Sequence, residues 1–128
     1  MQLQNVKYRG KRKKDGEWVT GRGIIIDNAT PGDPVSVYSD RRFKFYEVIP
    51  ETVGVYIGIK DKNGADIFVD DIIRDRYGEI GVVIFSDNFS GYRIRYHGGD
   101  TWREPRKDNE VIGNIHDNPE MAEKLKKG

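Results

Sequence analysis

The stretch from Val53 to Ile73, Val-Gly-Val-Tyr-Ile-Gly-Ile-Lys-Asp-Lys-Asn-Gly-Ala-Asp-Ile-Phe-Val-Asp-Asp-Ile-Ile, constrains the fold more than any other part of the chain. Two apolar runs flank the polar string Lys60 to Asp66. Asn63-Gly64 sits between them, where a tight reversal needs residues that tolerate positive φ. Before the reversal, Val53, Val55, Ile57 and Ile59 alternate with Gly54, Tyr56, Gly58 and Lys60. A period of two means a strand with one aliphatic face, and its glycines let another backbone come close. After the reversal, Ile67, Val69 and Ile72 continue the apolar pattern until Arg74-Asp75-Arg76-Tyr77-Gly78 turns the chain again. The pattern predicts a central β-hairpin.

The rest of the chain is also strand-like. A basic segment from Val6 to Lys14 runs into the turn signal Asp15-Gly16 and then Trp18-Val19-Thr20. Gly21-Arg22-Gly23 precedes Ile24-Ile25-Ile26, which reads as a buried run. No P-loop Lys-Ser or Lys-Thr follows these glycines, so they serve strand flexibility or a bulge. Asp27 to Pro34 holds two prolines and a glycine and reads as a loop. Val35–Tyr38 and Phe43–Ile49 are short β-rich segments separated by Ser39-Asp40-Arg41-Arg42. Pro50-Glu51-Thr52 marks a soft boundary between an N-terminal β lobe, 1–52, and the remainder, 53–128.

Ile80 to Phe85 has the composition of a strand buried on both faces or at a barrel seam. Tyr92, Ile94 and Tyr96 then alternate with Arg93 and Arg95, which puts the two arginines on the opposite face. Only the end looks helical. Asn118 is a candidate cap, Pro119 suits the first helical position, and Met121 and Leu125 form a narrow apolar stripe. The expected architecture is mainly β: a small antiparallel SH3-like barrel from about Gly54 to Ile115, a β-rich N-terminal lobe and a short C-terminal helix, all in one domain, 1–128.

Composition supports folding, because seven Tyr, five Phe and two Trp supply large apolar bodies to a chain that is 34% charged. The absence of cysteine excludes disulfides, thiolate metal sites and cysteine nucleophiles. It also suits a reducing cytoplasm. No run approaches the roughly 18 apolar residues of a membrane span, so no membrane partner is expected. Net charge is +1, with 12 basic against 8 acidic residues in positions 1–64 and 10 against 13 in positions 65–128. No global field draws the chain to polyanions, and the mild asymmetry serves self-association as readily as a ligand.

Local features offer two candidate surfaces. The first is Lys11, Arg12, Lys13 and Lys14, a cationic tip that either contacts phosphates or discourages edge pairing. The second gathers Arg93, Arg95, Trp102 and Arg103, where arginines beside aromatics fit a sugar-phosphate backbone or a protein interface. Tyr56 is a further candidate contact. His97-Gly98-Gly99-Asp100-Thr101 would present Trp102 from a flexible loop.

Catalytic chemistry is not indicated. An EF-hand starting at Asp61 would need its glycine at the position held by Asp66 and a Glu at that of Ile72, so the aspartates read as turn and strand-end residues. His97 and His116 have no paired-ligand spacing, and Ser90-Gly91 lacks the pattern of a nucleophile elbow. The expectation is a non-enzyme without a cofactor or metal.

The central stretch resembles the signature of the YopX family, small proteins encoded by bacteriophages and prophages. The shared residues are Tyr56, Gly58, Lys60, Asp61, Lys62, Asn63, Gly64, Ile67, Asp71 and Ile72. Lys7-Tyr8-Arg9-Gly10 resembles the family's opening motif, and Val111 to Glu120 its closing one. Val55 stands where the family has Gln, Ile57 where it has Thr, and Asp70 where it has Gly, a residue that takes positive φ more easily. The resemblance implies a phage-derived accessory protein in the cytoplasm of a bacterial host and brings no assigned activity. Two classes of function follow: a non-catalytic protein-interaction module that self-associates or meets a host or phage protein, and a nucleic-acid-binding accessory protein using a basic strand face.

Overall fold

A computed structural model describes residues 6–27, 34–97 and 102–126. The protein is mainly β with one short helix, and the chain divides into two compact units, Met1–Tyr56 and Ile57–Gly128. Most of the loop expected over Asp27 to Pro34, and residues Gly98 to Thr101 of the loop before Trp102, lie outside the described residues.

In the first unit, β1 (Tyr8–Lys11) and β2 (Trp18–Gly21) form a hairpin with Lys11 opposite Trp18. Its turn closes through Arg12 N–H donating to the Glu17 carbonyl and Gly16 N–H to that of Arg12, both at 2.8 Å. A second sheet has the order β3 (Ile24–Ile26), β4 (Val35–Ser39), β5 (Lys44–Val48), all antiparallel. Val19, Val37 and Val48 form the core, with Tyr8, Val35, Tyr46 and Val53 packed against it. Gly21 is required by close approach, since a β-carbon there would lie 1.8 Å from the Tyr38 carbonyl oxygen.

The isoleucine run does not behave as its composition suggests. β3 is an edge strand, and Ile25 and Ile26 are 49% and 55% exposed. Three consecutive apolar residues signal burial only when both faces are covered, and an edge strand has a free side.

Pro50–Thr52 forms a short 3-10 turn, and its Thr52 hydroxyl donates to the Ile49 carbonyl at 2.6 Å while accepting from Lys11 N–H at 2.9 Å. β6 (Gly54–Lys60) starts beside β1, with Tyr8 opposite Val55, and runs on into the second unit next to β7 (Asp66–Phe68).

The second unit contains a five-stranded antiparallel sheet curled into a half-barrel. Its order is β11 (Trp102–Arg103), β10 (Gly91–Tyr96), β9 (Ile80–Ser86), β8 (Asp71–Arg74), β12 (Glu110–Asn114). β9 is buried on both faces in its middle, as its composition predicts. Val83 joins Ile67, Ile73, Ile94 and Tyr96 on one side, and Val82 joins Ile72 and Leu125 on the other. The helix α1 (Pro119–Lys126) supplies Leu125 and Met121 to that second cluster. Burying a leucine contributes about 2 kcal/mol, which holds down a helix too short to persist alone. Asn118 contributes its carbonyl to Ala122 N–H, but its side-chain oxygen accepts from Asn114 N–H at 3.2 Å and so braces the preceding loop.

Two turns of this unit share one design. In Asp61-Lys62-Asn63-Gly64-Ala65 the Asp61 Oδ1 accepts the N–H groups of Asn63 and Ala65, each at 2.8 Å. In Asp75-Arg76-Tyr77-Gly78-Glu79 the Asp75 Oδ1 accepts those of Tyr77 and Glu79, each at 2.9 Å. Gly64 and Gly78 adopt φ +84° and +83°. Asn63 is not among the positive-φ residues, so the reversal is an Asp-anchored turn with one left-handed glycine, not a two-residue hairpin turn. Asp70, in the family's glycine position, also takes the left-handed backbone, at φ 78°, and its Oδ2 lies 3.1 Å from His116 Nε2. Among the described residues, no helix is long and apolar enough to cross a membrane.

Candidate functional site

Cations collect around one phenol in the first unit. The β4–β5 register puts Tyr46 opposite Val37 and Lys44 opposite Ser39, on one face of the sheet. The connecting turn closes with Arg42 N–H donating to Ser39 Oγ at 3.0 Å and Phe43 N–H to the Ser39 carbonyl at 2.8 Å. The guanidinium of Arg12 lies 4.4 Å from the Tyr46 ring centroid, the Lys44 ammonium 4.9 Å and the Arg42 guanidinium 5.8 Å. Burial pushes the Tyr46 hydroxyl up, but hydrogen bonding to Arg42 and Lys44 and their charges leave it below its ordinary value.

The turn itself is strained. Phe43 has φ 59° and is 78% exposed. A bulky residue in this region costs on the order of 1–3 kcal/mol, and an exposed ring recovers little of that by burial.

The predicted cationic tip contributes unequally. Lys11 is half-buried in β1 with its ammonium 5.7 Å from the Trp18 ring, so it is a strand residue first. Arg12 pairs with Asp15 at 3.4 Å and Glu17 at 3.7 Å, and Lys13 with Glu47 at 3.3 Å. Lys14 is exposed. A groove of about 430 Å³ runs between Arg12, Lys13 and Lys14 on one side and Lys44, Tyr46 and Glu47 on the other. Sequence reading missed Arg42, Phe43, Lys44 and Tyr46. The available signal was the basic turn at Arg41 and Arg42 leading into a short strand on which Lys44 and Tyr46 alternate with Phe45.

Tyr56, expected at the surface, is instead 8% exposed, with the Lys7 ammonium 5.0 Å from its ring. It lies on the inward face of β6 with Gly54, because the chain buries the glycine side of that strand's first half.

The second predicted cluster is divided by the sheet. Arg93 and Arg95 face Ile84 and Val82 across β9, and Trp102 faces Arg95, so these three share one side. Arg103 faces Ile94 and lies on the other side with Tyr96. On the first side, Arg93 stacks 4.9 Å from the Phe89 ring and reaches Glu104 at 3.9 Å, and Phe89 packs against Trp102. On the second side, Arg103 lies 5.2 Å from the Tyr77 ring and 5.7 Å from that of Tyr96.

Arg103 borders a cleft of about 270 Å³ with Asp75, Arg76, Tyr77, Tyr96 and Arg106. The Tyr96 hydroxyl donates to Asp75 Oδ2 at 2.8 Å. Burial raises the Asp75 carboxyl, yet the Tyr96 hydroxyl and the N–H groups of Glu79 and Tyr77 leave it below the ordinary carboxylate value. Burial and the Asp75 charge push Tyr96 well above the ordinary tyrosine value. Held this way, Asp75 stays ionised and Tyr96 neutral around pH 7, and the pair fixes the turn.

Among the described residues, no group of three or more His, Asp or Glu side chains converges as a metal site. His97 is exposed, Asp100 lies outside the described residues, and His116 is engaged with Asp70.

Comparison with known proteins brings three findings. The family model described as YopX protein matches residues 7–123. No curated protein matches the chain. Among solved structures, the crystal structure of protein EF1440 from Enterococcus faecalis is similar, with a TM-score of 0.54 at 19% identity, covering 91% of this chain and 96% of that one. At that identity the likeness shows the fold alone.

Proposed function

The chain belongs to the YopX family, and from that premise we propose that it is a phage or prophage accessory protein, a non-catalytic interaction module of the host cytoplasm whose copies join edge to edge. On this reading the chain is one domain, its curled second sheet is of the SH3-like kind, and it acts through contacts. The supporting observation is the β3 edge. Tyr38 N–H donates to the Gly23 carbonyl and Asp27 N–H to that of Pro34, so the backbone groups of Gly23 and Asp27 point at β4. Those of Ile24 and Ile26 therefore point outward. In an antiparallel pair centred on Ile25, Ile24 of each copy faces Ile26 of the other, and both residues' outward groups find partners while exposed aliphatic surface is covered. A net charge of +1 opposes this association little.

Light scattering at micromolar concentration tests the reading. The unmodified chain is expected to run as a dimer or larger, and the double variant Ile25→Lys with Ile26→Lys as a folded monomer. A monomeric unmodified chain would sink the proposal.

A second reading, as a nucleic-acid-binding accessory protein, is favoured by the groove beside Tyr46, where Arg12, Lys13, Lys14 and Lys44 outnumber Glu47. Clustered cations gain affinity for phosphates through counterion release.

A further inference from the structure

We propose that the β1–β2 and β4–β5 turns of the first unit together form a binding site for single-stranded nucleic acid, with Phe43 as the base-stacking residue. This rests on the second reading above and adds its ligand class and its contact residues. The β1–β2 turn is held against the end of β5, the strand that the β4–β5 turn leads into, by backbone hydrogen bonds. Lys13 N–H donates to the Glu47 carbonyl at 3.0 Å, Ile49 N–H donates to that of Lys11 at 2.8 Å, and Arg12 pairs with Val48. That docking brings Arg12, Lys13 and Lys14 to one groove with Lys44 at the start of β5. Lys14 and Lys44, from opposite walls, have no carboxylate partner among the described residues, whereas Arg12, Lys13 and Arg42 are partly neutralised by Asp15, Glu17 and Glu47. The arrangement offers phosphates two ammonium groups not neutralised by a carboxylate, that of Lys44 resting against Tyr46, within a framework held by ion pairs.

Phe43 selects the ligand class. It is exposed in the turn, after Arg42 and leading into Lys44 of the groove, whose own lining includes Phe45, and no ring or cation stacks on Phe43 among the described residues. A glycine or asparagine would occupy this left-handed position with less strain, so the position carries an aromatic ring at a conformational cost. A flat apolar ring beside cations matches an unpaired base with its flanking phosphates. A duplex keeps its base faces stacked inside and leaves Phe43 without a contact, and an acidic peptide would use the ammonium groups without the ring.

The test is fluorescence anisotropy of a labelled oligothymidylate of about 20 nucleotides, titrated with the full chain over a salt series. A duplex of equal length and polyglutamate serve as comparison ligands. The oligothymidylate is expected to bind tightest, with affinity falling steeply as salt rises. Lys44→Ala should reduce the log-log salt slope by about 0.7. Phe43→Gly removes the ring and accommodates the backbone, so it folds. It should weaken binding roughly 5- to 100-fold at an unchanged slope, and Phe43→Trp should restore binding. Duplex binding equal to that of the single strand, with Phe43→Gly neutral, overturns this inference and leaves the nucleic-acid reading standing. Absence of binding to either nucleic acid, or binding of polyglutamate alone, overturns both. Ile25→Lys with Ile26→Lys reports only on self-association.

Discussion

The Oδ2 of Asp61 accepts the backbone N–H of Val111 at 2.9 Å, across 50 residues of chain. Its other oxygen holds the Asn63 and Ala65 N–H groups, so one carboxylate both builds the central turn and ties it to β12. Lys62 N–H donating to the Asn109 carbonyl at 2.9 Å reinforces the same junction.

Replacing Asp61 therefore removes three acceptor contacts at a buried position. Asp61→Ala is expected to cost on the order of 3 kcal/mol, since buried N–H groups left unpaired carry most of their desolvation penalty. The charge has a separate signature. Burial raises the Asp61 carboxyl, but the N–H groups of Val111, Ala65 and Asn63 leave it below its ordinary 3.8. A carboxyl depressed in the folded state contributes stability that is present above that ordinary value and lost as pH falls through the folded value. Urea unfolding of the unmodified chain and Asp61→Asn should show a stability gap at pH 7 that narrows progressively below 3.8. A gap independent of pH would refute the role of the charge.

Asp70 tests how a non-glycine residue tolerates the left-handed backbone. At φ 78° the β-carbon is unfavourable, but the carboxylate gains His116 at 3.1 Å, with both side chains largely buried. Asp70→Ala keeps the strain and loses the contact, and it should destabilise by about 1 kcal/mol. Asp70→Gly loses the contact but relieves the strain, worth about 1 kcal/mol, and should lie close to the unmodified chain. Thermal unfolding that ranks Asp70→Gly below Asp70→Ala would contradict this account.

The central hairpin, the alternation of β10 and the Met121–Leu125 stripe were legible because each depends on local periodicity and neighbouring residues. The aspartates were legible as turn residues for the same reason. What pattern could not supply was the position of a strand within its sheet. Ile24 to Ile26 has the composition of a core strand but occupies an edge, and Tyr56 looks like a surface aromatic but lies inward, because β1 pairs with the start of β6. The grouping of Arg93, Arg95, Trp102 and Arg103 failed on register: pairing Arg95 with Trp102 places Arg103 one residue on, hence on the other face. The cluster at Tyr46 needs Arg12 beside β5, a contact between segments far apart in sequence. The family's glycine at position 70 correctly flagged an unusual backbone, which Asp70 retains.

Tyr96 and Asp75 give a prediction at both ends of the pH scale. Tyr96→Phe removes one donor from a buried carboxylate and should cost about 1–2 kcal/mol at neutral pH. Without that donor the Asp75 carboxyl rises, so acid unfolding of the variant should begin at higher pH than in the unmodified chain. At the alkaline end the sign reverses. The Tyr96 hydroxyl is raised above its ordinary 10.0 in the folded state, so its contribution is fully present below that value and is lost as pH climbs toward the folded value. The unmodified chain should accordingly lose stability above pH 10.0 through Tyr96, and Tyr96→Phe should lack that share of the loss. Ultraviolet titration of the phenols, run beside chemical denaturation, checks both. One tyrosine should resist ionisation until the fold opens, and its signal should disappear in Tyr96→Phe. Ionisation of every tyrosine within the folded protein near its ordinary value would refute the Tyr96–Asp75 bond as the anchor of the second turn.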